Sequence, residues 1–188
     1  NPTEVKKNIH IWGHAVSVGE TRSLLTLLDF LAKRYPDWHF LVTTTTATAA
    51  HIVKTHNAPY IIHQYLPFDV PSWIDNFLNF WQPKSVIFIE QEIWPNIIFA
   101  CRQKNIPMGL VNGKLTEKSP KKWQKIRSTA KYLTNAFQMI LAQSEQDRIR
   151  LQSICDEKQK VVYGGNLKLA AAPLQSNKYE FVTNIKII

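Results

Sequence analysis

Two short stretches of this chain place carboxylates directly behind apolar runs, at the positions where α/β proteins bind their ligands. The first is His14-Ala-Val-Ser-Val-Gly-Glu20, which follows the run Ile9–Trp12. Glu20 lies outside the apolar stripe of the helix that begins there, so packing of the core does not explain it. A carboxylate in this place suits a general base or a ligand clamp. The alternative is a first-turn acid that the helix dipole stabilises by about 0.3–1 kcal/mol.

The second stretch is Glu90-Gln-Glu92-Ile-Trp-Pro-Asn96, which follows the apolar run Val86–Ile89. Glu90 and Glu92 are two positions apart, so their side chains point the same way as long as the strand persists. Converging carboxylates repel unless a ligand hydroxyl, a cation or an arginine lies between them. The alternative is a solvated pair before a helix. Both stretches leave the carboxyl ends of strands, and we therefore expect them to face one crevice.

Hydroxyls and a histidine extend this candidate site. The run Thr43–Thr46 follows another strand, where Thr44 and Thr45 could bind an anion or a sugar or could simply cap a helix. His14 either lines the crevice or is a satisfied residue at the end of its strand. The remaining histidines show no ligand spacing, so we predict no metal site. A lone Gly19 without the G-x-G-x-x-G pattern argues against a dinucleotide cofactor.

Positive charge is concentrated behind Asn112. Between Lys114 and Lys131 there are seven basic residues and one acid, Glu117, a local charge of +6 out of the chain's +9. Trp123 and Ile126 add apolar surface to this basic segment. Such a segment fits an anionic membrane surface or a phosphorylated lipid, although charge runs are often only solvated faces.

Alternating strands and helices must position these residues. The strand predictions are Ile9–His14, His39–Thr43, Tyr60–Tyr65, Val86–Glu90, Met108–Asn112, Met139–Ala142 and Val161–Tyr163. The helix predictions are Arg22–Arg34, Ala47–Lys54, Trp73–Trp81, Pro95–Lys104, Lys121–Ala136 and Glu145–Ile154. This order indicates an α/β fold with a Rossmann-like, mainly parallel sheet. The aromatic residues of the third helix, which we expect to form its core face, are Trp73, Phe77, Phe80 and Trp81.

Length and composition favour one globular domain over residues 1–168, followed by a linker or tail over 169–188. No apolar run reaches the roughly 18 residues of a membrane-spanning helix. The two cysteines, Cys101 and Cys155, lie far apart and are expected to be reduced thiols.

Six motifs together resemble the 3-deoxy-D-manno-octulosonic acid (Kdo) transferases of lipopolysaccharide synthesis, over nearly the whole chain up to about Lys168. They are His14–Glu20, Thr43–Thr46, Tyr65–Asp69, Glu90–Asn96, Leu141–Glu145 and Gly165–Lys168, in that order.

The resemblance implies the N-terminal half of a GT-B glycosyltransferase, which binds the acceptor, with the C-terminal donor domain outside this chain. It implies transfer of Kdo from CMP-Kdo to the lipid A precursor with inversion, at the cytoplasmic face of the bacterial inner membrane and in peripheral contact with anionic lipid. No cofactor other than the donor substrate is implied. Glu20 takes the position of the general base. The expected substrate-binding residues are His14, Ser17, Gly19, Thr44, Thr45, Glu90, Glu92, Asn112, Lys114 and Lys168.

The chain departs from the family pattern at two places. Lys114 stands where the family usually has arginine, which keeps the charge and loses the bidentate fork. After Lys168, the family's Phe-Asp is replaced by Leu169-Ala170. We expect the 188-residue chain alone to bind acceptor without transferring Kdo. The alternatives are a non-catalytic module for lipid A or anionic membranes and, ranked last because no reading motif occurs, a nucleic-acid binder.

Overall fold

Apolar and β-branched runs form seven strands in the computed structural model, which describes residues 8–170. The strands are β1 (Ile9–His14), β2 (His39–Thr44), β3 (Ile61–Tyr65), β4 (Ser85–Ile89), β5 (Met108–Gly113), β6 (Met139–Ala142) and β7 (Val161–Tyr163). All pair in parallel, in the order β3-β2-β1-β4-β5-β6-β7. Each predicted strand is present, with bounds that agree to within one residue.

Eight helices connect and flank the strands within residues 8–170. They are α1 (Val18–Arg34), α2 (Ala47–His56), α3 (Pro71–Trp81), α4 (Pro95–Gln103), α5 (Ser119–Gln124), α6 (Arg127–Thr134), α7 (Glu145–Gln152) and α8 (Leu167–Ala170). None of them combines the length and the apolarity needed to cross a membrane. The predicted tail over 169–188 lies outside the described residues except for its first two positions, which belong to α8.

The helices cover both faces of the sheet, which explains why the strands are apolar on both sides. In β4, Val86 and Phe88 pack with α3, α4 and α6, whereas Ile87 and Ile89 pack with α1 and α8. The Rossmann-like α/β fold is therefore confirmed. The strand order reverses between β1 and β4, and it is outside the carboxyl ends of such neighbouring strands that open α/β sheets bind ligands.

Gly13 lets α1 approach β1 closely. A Cβ atom at this position would lie 2.7 Å from Cδ1 of Leu24, closer than real Cβ contacts. The glycine therefore sets how near the first turn of α1 comes to the end of β1, and with it the depth of the loop between them.

Three sequence predictions of helical structure were wrong in detail. The first helix begins at Val18 rather than Arg22, because Ser17 caps it. The predicted helix Lys121–Ala136 is two helices, α5 and α6, which Lys125 and Ile126 separate. Ile126 has a non-helical backbone (φ −125°, ψ 45°). The break lets α6 pack Ala130 and Leu133 into the core while no residue of α5 is buried.

The third correction concerns the aromatic face of α3. Phe77 is buried, but Trp73 is 53% exposed and Phe80 46% exposed, because Ile74 and Leu78 take the inward positions. Both cysteines are free and buried, and burial raises the pKa of Cys101 to about 12 and that of Cys155 to about 11.

Candidate active site at the switch in strand order

The loop between β1 and α1 is built as a helix cap. Ser17 has an extended backbone, and its Oγ accepts a hydrogen bond from the Glu20 N–H at 3.2 Å. The Glu20 carboxylate in turn accepts from the Ser17 hydroxyl at 2.8 Å and from the Val16 N–H at 2.9 Å. This is the S-x-x-E capping box, here with the glutamate reaching back to the residue before the cap. Glu20 is only 9% exposed, and its carboxylate has a fixed orientation.

The loop between β4 and α4 sends its two carboxylates to different partners. The strand ends at Ile89, and Glu90 takes a left-handed conformation (φ 64°) that turns the chain. Glu90 Oε1 lies 2.7 Å from the Lys168 ammonium, whereas Glu92 Oε2 accepts a hydrogen bond from Trp94 Nε1 at 2.6 Å. The prediction that the two carboxylates point the same way was wrong, because it required the strand to continue through Glu92.

Lys168 joins the two loops. Its ammonium pairs with Glu90, while a Cβ atom on Gly19 would lie 3.4 Å from its Cε. The segment that carries Lys168 is anchored by Asn112, whose Oδ1 accepts from the Leu167 N–H at 3.0 Å. The first turn of α1 and the β4–α4 loop therefore flank one crevice where the strand order reverses, as the sequence led us to expect.

His14 lies at the back of this crevice and is completely buried. Its Nδ1 lies 2.9 Å from the Thr43 hydroxyl, and its Nε2 lies 3.6 Å from Glu92 Oε2. The rings of Phe88 and Trp94 meet the imidazole edge-on, at centroid distances of 6.4 and 6.2 Å. His14 is thus held by packing on one side and faces the Glu92 carboxylate on the other.

The threonine run divides its tasks. Thr44 is buried, with its hydroxyl 2.9 Å from Nε2 of His63, a residue whose pKa is lowered by burial. Thr45 is exposed. Thr46 caps α2 and donates to the Val16 carbonyl at 3.2 Å, which ties the run to the β1–α1 loop. Thr44 therefore supports the edge strand β3, whereas Thr46, which sequence reasoning did not single out, borders the crevice.

Lys114 follows β5 next to the crevice. Its N–H lies 3.4 Å from the Glu90 carbonyl, and its side chain is half-buried. The residue after it is clamped by α7, because the Leu115 N–H donates to Asp147 at 3.0 Å and its carbonyl accepts from Arg150 at 3.2 Å. The basic residues beyond Lys114 project from α5 and the break after it, and the exposed ones are Lys118, Lys121, Lys122, Lys125 and Arg127.

Sequence reasoning missed the role of Asp69. Its carboxylate accepts hydrogen bonds from the N–H groups of Asn96 and Ile97, at 3.2 and 2.9 Å, and so caps α4 from another loop. The sequence contains a partial signal, since Trp94 occupies the N-cap position of α4 and has no side-chain oxygen to cap a helix. A donor pair without a local acceptor requires a distant one, but the spacing along the chain does not say which.

Within residues 8–170, no group of three or more His, Cys, Asp or Glu side chains is arranged to hold a metal ion. The crevice instead offers carboxylate oxygens, one ammonium group and backbone amides. These groups suit hydroxyl recognition, proton abstraction and anion binding.

Comparison with known proteins decides the family. The family model described as 3-deoxy-D-manno-octulosonic-acid transferase (kdotransferase) matches residues 2–171. This chain belongs to the Kdo transferase family. The relationship spans both loops of the crevice, the basic segment and the strap that carries Lys168.

Individual Kdo transferases agree with this assignment. The chain is 38% identical to the 3-deoxy-D-manno-octulosonic acid transferase of Rickettsia felis over 171 residues, which are 90% of this chain and 36% of that protein. It is 34% identical to the Haemophilus influenzae enzyme over 84% of this chain and 37% of that protein. A probable mitochondrial Kdo transferase of Arabidopsis thaliana is 32% identical over 94% of this chain and 40% of its own length. The chain therefore spans well under half the length of these relatives.

Solved structures share the fold at low sequence identity. The UDP-GlcNAc 2-epimerase of Neisseria meningitidis matches with a TM-score of 0.61 and 14% identity, over 87% of this chain and 48% of that one. A glycosyltransferase of Rickettsia africae matches with a TM-score of 0.55 and 13% identity, over 84% and 43% of the two chains. At such identities the likeness concerns the fold alone.

Proposed function

We propose that the full-length protein transfers Kdo from CMP-Kdo to a hydroxyl of the lipid A precursor, with inversion, and that Glu20 is the general base. The observation that carries this proposal is the position of Glu20 in the crevice at the switch in strand order, where Lys168 reaches both Glu90 and the first turn of α1. Membership of the Kdo transferase family supplies the reaction class.

The chemistry asked of Glu20 is one proton transfer. The acceptor hydroxyl oxygen attacks the anomeric carbon of Kdo as the bond from that carbon to the CMP phosphate breaks, and CMP leaves with the bonding electrons. The Glu20 carboxylate takes the hydroxyl proton. The hydrogen bonds from Ser17 and Val16 fix the orientation of the carboxylate before the acceptor arrives, which lowers the entropic cost of reaching the reactive geometry.

Acceptor recognition is assigned to the residues that surround Glu20. Lysines 114 and 168 suit the phosphates of a disaccharide bisphosphate, and Glu92 suits a sugar hydroxyl. Ser17, Gly19, Glu90 and Asn112 shape the crevice through the contacts described above, and His14 lies behind it. Thr45 is exposed near the start of α2, whereas the Thr44 hydroxyl is occupied by His63 and contributes to the fold rather than to binding.

We assign CMP-Kdo to the part of the full-length protein that this chain does not span. The two-domain GT-B arrangement, with residues 1–168 as the acceptor domain and 169–188 leading to the donor domain, is part of the same proposal. No cofactor enters the reaction, because the donor already carries the activated sugar.

Membrane contact is assigned to the carboxyl edge of the sheet, at the cytoplasmic face of the bacterial inner membrane. The lysines of α5 follow β5 at this edge, and two exposed aromatic residues, Phe68 (75%) and Trp73 (53%), follow β3 at the same edge. Basic and aromatic side chains together suit an anionic lipid surface.

Vesicle binding tests this contact. Replacing Lys121 and Lys122 by glutamine should weaken sedimentation with anionic vesicles about thirtyfold, since each lysine near the surface contributes about 1 kcal/mol. The matched control replaces Lys33 and Arg34, which remove the same charge at the other end of α1 and should leave binding nearly unchanged. Equal losses in both variants would show that net charge, rather than this edge, attracts the protein.

The transfer reaction is tested with the full-length protein, CMP-Kdo and the tetra-acylated disaccharide bisphosphate. Mass spectrometry should show the addition of Kdo, and NMR of the product should show inverted configuration at the anomeric carbon. Retained configuration would exclude the single displacement, and a full-length protein that binds the acceptor without transfer would overturn the enzyme proposal.

One observation favours the second candidate, a non-catalytic acceptor-binding module. Both oxygens of Glu20 already accept hydrogen bonds in the capping box, so a structural role alone would account for the residue. The two candidates differ in whether transfer needs the carboxylate of Glu20 or only its ability to cap α1.

A further inference from the structure

The imidazole of His14 leaves one nitrogen unused. The residue is 0% exposed, and its Nε2 has no hydrogen-bond partner within residues 8–170. A buried polar atom without a partner is costly, commonly by about 1–3 kcal/mol. Since neither packing nor the β-sheet requires a polar atom here, a functional reason for this nitrogen is worth seeking.

Neighbouring groups determine where the imidazole carries its proton. The Thr43 hydroxyl accepts a hydrogen bond from Trp12 Nε1 at 2.8 Å, so its own hydrogen is free to go to His14 Nδ1 at 2.9 Å. In that arrangement Nδ1 is the acceptor and the proton resides on Nε2. The opposite tautomer would turn a bare lone pair toward a carboxylate oxygen.

The Nε2 proton points at Glu92. The distance from Nε2 to Glu92 Oε2 is 3.6 Å, about 0.8 Å beyond a charge-assisted hydrogen bond. The same oxygen already accepts from Trp94 Nε1 at 2.6 Å, and the Trp94 ring also meets the His14 ring edge-on. In the described part of the chain no hydrogen bond reaches the other oxygen, Oε1, and the Glu92 side chain is 17% exposed.

We propose that His14 is a positioning residue for Glu92: together with Trp94 it holds Oε2, so that Oε1 is presented to a sugar hydroxyl of the acceptor. When the hydroxyl engages Oε1, Glu92 settles against His14 and the long contact shortens to a hydrogen bond. The inference rests on the proposed function, because it requires a hydroxyl-bearing acceptor in the crevice. His14 itself does not touch the acceptor, since its ring is fully buried.

A pair of amide substitutions separates this role from packing. In His14→Gln the amide nitrogen reaches roughly the place of Nε2 and keeps a donor for Glu92, while the link to Thr43 is lost. In His14→Asn the amide lies near the place of Nδ1, which keeps the link to Thr43 and removes the donor. Assayed in the full-length enzyme, His14→Gln should stay within about threefold of the wild-type kcat/KM, and His14→Asn should lose about 10- to 100-fold.

The reverse order, with His14→Asn the more active variant, would overturn the proposal and assign His14 to packing through Thr43. Equal losses in both variants would overturn it as well. Thermal unfolding of each variant establishes that the compared proteins are folded. A wild-type enzyme without any transfer would instead contradict the proposed function.

A second measurement needs no activity and uses the wild-type 188-residue chain. Nitrogen-15 NMR of the imidazole distinguishes the two neutral tautomers, and at neutral pH we expect a proton on Nε2 of His14. A neutral ring protonated on Nδ1 would overturn the proposal, because it would leave nothing to donate to Glu92.

Discussion

The two loops that flank the crevice are fixed by different means. The β1–α1 loop is held by residues three and four positions apart, because Glu20 bonds to Ser17 and Val16. The β4–α4 loop is held from far along the chain, by Asp69 across 27 positions and by Lys168 through its ion pair with Glu90. The first loop can form as soon as α1 forms, whereas the second requires the assembled fold.

This difference bears on function. A locally capped carboxylate keeps its orientation regardless of what happens elsewhere, which suits a group that must meet a reacting hydroxyl. A loop tied to a distant strap responds to that strap, so binding events at Lys168 can be transmitted to Glu90. The substitutions below test the two loops separately.

The largest expected effect is on catalysis at the first loop. Glu20→Gln preserves the capping box, because glutamine also occurs at this position of the motif, and removes the base. We expect kcat of the full-length enzyme to fall about 10²- to 10⁴-fold with little change in thermal unfolding. Turnover close to that of the wild type would confine Glu20 to the helix cap and favour the binding module.

The second loop should be most sensitive at Asp69. Asp69→Ala leaves two N–H groups of α4 without their acceptor, and we expect a loss of about 1–3 kcal/mol in the free energy of unfolding. Urea unfolding followed by tryptophan fluorescence measures it. The control is Asp75→Ala, an exposed acid 3.7 Å from Lys104, which should cost about 1 kcal/mol at most. Equal losses would show that α4 is held by packing rather than by the cap.

Asp147 combines both kinds of contact and adds a pH dependence. Burial alone would raise the pKa of Asp147, but hydrogen bonds from Ser144, the Leu115 N–H and Gln143 outweigh it and, together with Arg150, lower that pKa. The stabilisation is thus complete above the unfolded-state pKa of about 4 and is lost as the pH falls through the lower folded-state pKa.

Asp147→Asn should therefore cost about 1–2 kcal/mol near neutral pH, with a gap to the wild type that narrows in acid. Chemical unfolding at several pH values measures this, and Glu145→Gln, an exposed acid two positions earlier, serves as the control. A gap that does not depend on pH would show that the ionised carboxylate is not what holds the Leu115 loop.

The smallest effect is expected at Ser17. Ser17→Ala removes the side-chain acceptor of the cap and should cost about 1 kcal/mol, whereas Ser17→Thr keeps a capping oxygen and should cost less. Differential scanning calorimetry of the two variants compares them. A loss in Ser17→Ala as large as that of Asp69→Ala would show that the first loop is no more locally determined than the second.

The same contrast explains what could be predicted from the sequence. Strand positions and the α/β order follow from apolar runs, and the S-x-x-E spacing of the first loop is visible in the chain itself. The divergence of Glu90 and Glu92 was not predictable, because it depends on a left-handed residue and on two partners from other elements. The same holds for Asp69, whose partners lie in another loop, and for the break at Ile126, which the burial of α6 imposes.

The central claim is that both loops face a single acceptor site, and amide chemical shifts test it most directly. The 188-residue chain, labelled with nitrogen-15, is titrated with the de-acylated disaccharide bisphosphate. We predict that the amides of Gly19, Glu90, Glu92 and Lys168 shift together and report one dissociation constant. Shifts confined to the groove between α2 and the edge strand β3, around His51, Lys54 and His63, would contradict the account.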